Sequence, residues 1–147
     1  MVINESLSIS QKPESIWGYW MDVTNDVQWR DGITKAEWNS LPPYGIGSTG
    51  KHIHEKMGTM NWKVNKFEDG RSFEFIHTAG GLKGSIAFFQ VEPENNGSRV
   101  QVQMKMSGPI IMRFMIFFMG RMMRKGVRGD LQKLKELMEK QNANGSI

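Results

Sequence analysis

The chain has 147 residues, no cysteine and a formal net charge of +4. That length suits one domain with a core of its own, and the lack of cysteine excludes a disulfide framework, a cysteine zinc site and a thiol nucleophile. The longest apolar run, Ile110 to Met119, is broken by Arg113 and falls short of the roughly 20 residues of a membrane span. No apolar leader opens the chain, so a soluble, cytoplasmic protein is expected.

Val2 to Ser10 alternates, with Ile3, Glu5, Leu7 and Ile9 on one face, and reads as a half-buried strand. Pro13 suits a first helical position, and Ile16, Trp17 and Trp20 recur at helical spacing in a short helix. Asp22 to Asp26 breaks it, and Thr24 or Asn25 is expected to cap a second brief helical turn ending near Trp29. The turn Arg30-Asp31-Gly32 leads into a strand, Ile33 to Asn39, after which Pro42-Pro43 marks a loop.

Strands follow at Ser48–Lys56, Thr59–Phe67, Ser72–Thr78 and Lys83–Glu92, separated by turn residues, the last break running from Pro93 to Gly97. A final strand, Arg99–Ser107, places Val100, Val102, Met104 and Met106 on one face. Gly108-Pro109 closes the sheet region. From Ile110 to Lys140 the period lengthens to about 3.6 residues, with Ile116, Met119, Met123, Val127, Leu134 and Met138 on one side of a long helix and Leu131 beside them. Short turns require antiparallel neighbours. The predicted class is therefore α+β: a curved seven-stranded antiparallel sheet around a long C-terminal helix, with two short helices after the first strand. It forms one domain, residues 1–141, with a frayed tail, 142–147.

Four features of the sequence invite function. The first half of the long helix is crowded with Met112, Met115, Met119, Met122 and Met123 and with Phe114, Phe117 and Phe118, more apolar residues than one stripe holds. Flexible methionines suit an adaptable binding wall, and something besides the sheet must cover the surplus. His52 and His54 share a strand face but have no third ligand placed by spacing, so no metal site is expected. His77, which alternates with Phe73 and Phe75, is a better candidate for orienting a ligand or moving a proton. Glu5 is the other catalytic candidate: an inward carboxylate favours its protonated form unless a cation lies close. The basic excess gathers in Arg113, Arg121, Arg124, Lys125 and Arg128. No nucleic-acid-binding motif accompanies it, so nucleic acid is not an expected partner. A solvated helix face or an anionic membrane surface is.

The order of elements resembles the START-like (SRPBCC) superfamily, most of all its polyketide cyclase/dehydrase-type branch. The resemblance rests on Ser8-Ile9-Ser10 through Pro13-Glu14-Ser15-Ile16-Trp17, Asp22 with Trp29, and Gly45-Ile46-Gly47-Ser48. It continues through Trp62-Lys63-Val64, Phe73-Glu74-Phe75 and Asp130-Leu131-Gln132-Lys133-Leu134-Lys135. It implies a helix-grip fold with an apolar cavity between sheet and helix, and binding of a small lipophilic molecule without a cofactor. Trp62, Phe73, Phe75, His77 and Met104 on the sheet, and Met115, Met119 and Met123 on the helix, are then expected to line that cavity. A cyclase or dehydratase reaction, a peripheral membrane contact and a homo-oligomer stay open as alternatives or additions.

Overall fold

The computed structural model describes residues 2–107 and 110–145, and the side chains of these outside 110–116 and 142–145. The expected Gly108-Pro109 end of the sheet region lies outside the described residues. In chain order the elements are β1 (Val2–Ile9), α1 (Pro13–Met21), a 3-10 turn (Val23–Asn25), α2 (Asp26–Trp29), β2 (Ile33–Trp38), β3 (Thr49–His54), β4 (Gly58–Glu68), β5 (Ser72–His77), β6 (Ile86–Glu94), β7 (Gly97–Lys105) and α3 (Ile110–Gly145). The strands form one seven-stranded sheet ordered β1-β7-β6-β5-β4-β3-β2, and every neighbouring pair is antiparallel. This is the expected α+β helix grip, with α1 and α2 spanning the link between the two edge strands.

The differences from expectation are local and have physical causes. The break foreseen at Pro93 to Gly97 shrinks to a two-residue turn, because β6 continues through Pro93 to Glu94 and Asn95 takes a φ of 49°. Pro93 is tolerated because its ring nitrogen points to the side of Val91, whose N–H donates to the Arg71 carbonyl just before β5 begins; beyond it that side has no strand to receive a donor. Asn25 takes the N-cap position of α2, as expected, but makes no side-chain cap bond there; the side-chain cap belongs to the preceding 3-10 turn, where Asp22 Oδ1 accepts from the Thr24 N–H at 3.3 Å. The Asn25 amide donates to the Tyr19 carbonyl at 3.0 Å. The helix α3 continues beyond Lys140 to Gly145, into the segment expected to fray.

The core is the concave face of the sheet closed by α3. Ile3 and Ile9 of β1, Val100 and Val102 of β7, and Val127, Leu131, Leu134 and Met138 of α3 are all buried. Each large aliphatic side chain so buried stabilises the fold by about 1.5–3 kcal/mol. Met119, expected on the same stripe, is 42% exposed, because it lies about a quarter-turn round the helix from the Val127–Leu134–Met138 line. Ile116, also expected there, has a side chain outside the described residues. Trp17, Trp20, Trp29 and Trp62 are buried and pack edge-on or tilted against Phe67, Phe73, Phe75 and Phe89. This packing is dense enough that the indole N–H groups of Trp20, Trp29 and Trp62 have no acceptor among the described residues.

Candidate functional site

The aromatic and methionine-rich halves of the concave face differ in how fully they are filled. Where Trp20, Trp29, Trp62, Phe73, Phe75 and Phe89 meet, the remaining space is about 10 Å³, roughly that of a single water. Toward the β3–β4 turn and the middle of α3 the facing residues shrink to Ala87, Ser85 and Gly126, and a partly open cavity of about 250 Å³ remains. Met60, Met104, Met106 and Met123 form its apolar walls, and Met57 and Leu82 reach it from loops. Gly126 contributes directly, since a side chain there would meet no atom within 4 Å.

Five ionisable residues line this space: Arg30, Asp31, His54, His77 and Asp130. Arg30 follows α2, and its guanidinium lies over the rings of Trp29 and Phe89, 6.0 and 5.8 Å from their centroids. It is held from behind by Asp26, whose Oδ2 accepts from Arg30 Nη1 at 3.5 Å and from His52 Nε2 at 2.7 Å. His52 must carry its proton on Nε2 to make that bond, so Arg30, only 3.3 Å from the same nitrogen, donates to the carboxylate alone. Burial lowers the pKa of His52 despite Asp26, so the imidazole is neutral and serves as a donor. Asp26 is the one carboxylate paired with Arg30 among the described residues, which leaves most of its five N–H donors for the cavity.

His77 ends β5 and donates from Nδ1 to the Ser85 carbonyl at 3.2 Å, which fixes the tautomer with Nε2 as acceptor. Burial, reinforced by the positive Arg30, pushes its pKa down to about 4. Asp130 sits on α3, where its Oδ1 accepts from the Asp31 N–H at 3.0 Å. Burial lifts its carboxyl to about 6 against the opposing pull of that bond and of Arg30. Near neutral pH the cavity therefore presents a fixed cation, a neutral imidazole and a carboxyl able to hold or release a proton.

The residues expected from the sequence divide accordingly. His77, Met104 and Met123 line the cavity. Trp62, Phe73 and Phe75 belong to the filled aromatic half, and Met119 faces outward. Met115 lies outside the described residues. Glu5 points toward α3, as its alternation requires, but meets Arg128, whose Nε donates to Oε2 at 2.8 Å, outside the cavity. His54 lines the cavity, with its Nδ1 accepting backbone N–H bonds from Lys56 and Met57. Among the described residues no three His, Asp or Glu side chains gather as metal ligands, and no helix is long and apolar enough to cross a membrane. Arg30 and Asp130 were not site candidates from the sequence, because one stands in a turn and the other only in the family-like segment Asp130 to Lys135.

Residues 2–139 match the family described as polyketide cyclase / dehydrase and lipid transport. No curated protein matches the sequence. Among solved structures, the fold is similar to the Aha1 dimer of Colwellia psychrerythraea (TM-score 0.69, 21% identity, 95% of this chain and 96% of that one). It is also similar to the protein TTHA0849 of Thermus thermophilus (TM-score 0.73, 17% identity, 92% and 95%). A third likeness is to the di-domain ARO/CYC protein StfQ of the steffimycin biosynthetic pathway (TM-score 0.75, 10% identity, 97% of this chain and 51% of that one). At these identities the likenesses are of fold alone.

Proposed function

Because the chain belongs to the polyketide cyclase/dehydrase and lipid transport family, we propose that it binds a compact lipophilic molecule in the cavity between the sheet and α3. The observation that carries this reading is a methionine-walled space of about 250 Å³ with Arg30 in its lining. That volume is just below the roughly 300–1,000 Å³ of most ligand pockets, and methionine walls can widen it. A small ring system suits it better than a long acyl or isoprenoid chain.

The polar groups narrow the class further. Asp26 already balances Arg30, and Asp130 is largely ionised at pH 7, so an anionic ligand finds no net attraction. A neutral ligand bearing a carbonyl for Arg30 and a hydroxyl for Asp130 or His77 would satisfy these groups, as a phenol or cyclic hydroxyketone does. The carboxyl near 6 also favours a second reading, acid–base catalysis of the cyclase or dehydratase kind. Asp130 rather than Glu5 would then hand on the proton, with His77 lining the same cavity.

Titration with naphthol, followed by its fluorescence and by thermal shift, tests the binding reading. Naphthol is expected to bind the wild type and to be lost in Gly126→Leu, which fills the cavity. Retained binding in that variant, or no binding of naphthol by the wild type, would overturn it.

A further inference from the structure

The outward face of α3 carries a second apolar surface that neither the core nor the cavity uses. Phe117 and Phe118 are 79% and 81% exposed and Met122 is 66% exposed. The two phenylalanine rings meet edge-to-face, 5.8 Å between centroids. Phe118 lies half a revolution round the helix from buried Val127, so it points straight away from the sheet. Met122 follows Phe118 by one turn on the same side, and Arg121 and Lys125 run along one side of the pair, with Arg124 along the next row.

The surrounding charge is of one sign. Between Glu94 and Asp130 the sequence contains Arg99, Lys105, Arg113, Arg121, Arg124, Lys125 and Arg128 and no Asp or Glu. Of the last four, Arg128 is neutralised by Glu5, whereas Arg121, Arg124 and Lys125 have no ion-pair partner among the described residues. A helix with exposed aromatic and Met side chains and unpaired cations beside them matches an anionic bilayer in chemistry. A second copy of the chain would bring these cations against their own like charges. We propose that the Phe117–Lys125 face of α3 docks the protein on anionic lipid membranes. Met123 and Gly126, one step further round the same helix, line the cavity, so docking would set the binding site beside the bilayer surface.

Flotation of the full chain with vesicles tests this. It is expected to float with vesicles of equal parts phosphatidylcholine and phosphatidylserine but not with phosphatidylcholine alone. Phe118→Ser/Met122→Ser and Arg121→Glu/Lys125→Glu should each weaken capture about tenfold or more, the second pair in a salt-dependent manner. Both pairs are exposed and should leave naphthol binding and the thermal midpoint unchanged, which separates failure here from failure of the cavity reading. Absence of capture, equal capture by both vesicle types, or capture indifferent to both double variants would overturn the proposal. So would a concentration-dependent dimer in sedimentation equilibrium that Phe118→Ser/Met122→Ser dissociates, since a second copy would then own the surface.

Discussion

The backbone N–H of Asp31 donates to Oδ1 of Asp130 at 3.0 Å, tying the turn before β2 to the middle of α3 across one side of the cavity. That bond leaves the other carboxylate oxygen free to serve a ligand, and it holds a partly buried acid in the same cavity lining as the buried His77.

These two groups have opposite effects on stability, which gives the first prediction. The Asp130 carboxyl rises from 3.8 to about 6 on folding, so between those values the folded chain holds a proton that the unfolded chain has lost, and stability falls as pH rises. His77 falls from 6.5 to about 4, so between those values the unfolded chain holds the extra proton and stability rises with pH. Across pH 4–6 the two slopes offset each other. Urea unfolding should show Asp130→Asn gaining on wild type as pH rises through this window, by on the order of 1–2 kcal/mol after allowance for solvent screening. His77→Gln should gain on wild type as pH falls. Parallel curves for all three proteins would refute the assignment.

Gly126 lies inside a helix with open space where its side chain would be. Gly126→Ala should therefore raise stability by about 0.5–1 kcal/mol, as an added methyl group relieves the helix of a glycine without a clash. Thermal unfolding reads the gain directly, and naphthol affinity should change little because a methyl group removes only a small part of the cavity.

Gly50 of β3 behaves in the opposite way. A Cβ there would overlap Cζ2 and Cη2 of the fully buried Trp62 indole and crowd the Glu37 carbonyl. Gly50→Ala should cost about 1–3 kcal/mol and red-shift the tryptophan emission as the indole is displaced. Unchanged stability and emission would show that the strand can retreat.

Removing Asp26 takes the carboxylate from the buried His52 donor and the half-buried Arg30. Asp26→Ala should destabilise the fold by about 3–5 kcal/mol in chemical denaturation. Adding His52→Phe should recover part of the loss, since it removes one of the groups left unpaired.

Glu5→Gln should be mild by comparison, at about 0.5–1 kcal/mol, because its partner Arg128 is mostly exposed. Naphthol affinity should be the same as in the wild type. A loss of binding would place Glu5 in the site after all.

Much of the architecture was legible in the sequence because it follows from local rules. Alternation marks β1 to β7, turn residues force antiparallel pairing, and the longer period after Ile110 marks α3; each signal sits within a few residues of what it determines. His77, Met104 and Met123 were legible for the same reason, since strand and helix periodicity point them inward. What the tertiary structure alone decided is where the interior is full and where it is empty. Trp62, Phe73 and Phe75 share the inward face with His77, yet they close against Trp20, Trp29 and Phe89, which come from distant segments. Ser85 and Ala87 on one segment and Gly126, distant from them in sequence, leave the space. Likewise Glu5 gained Arg128, and Asp130 gained Asp31 and a buried setting, through contacts that no spacing along the chain encodes. Periodicity states which way a side chain points, whereas volume and charge balance depend on what arrives opposite it.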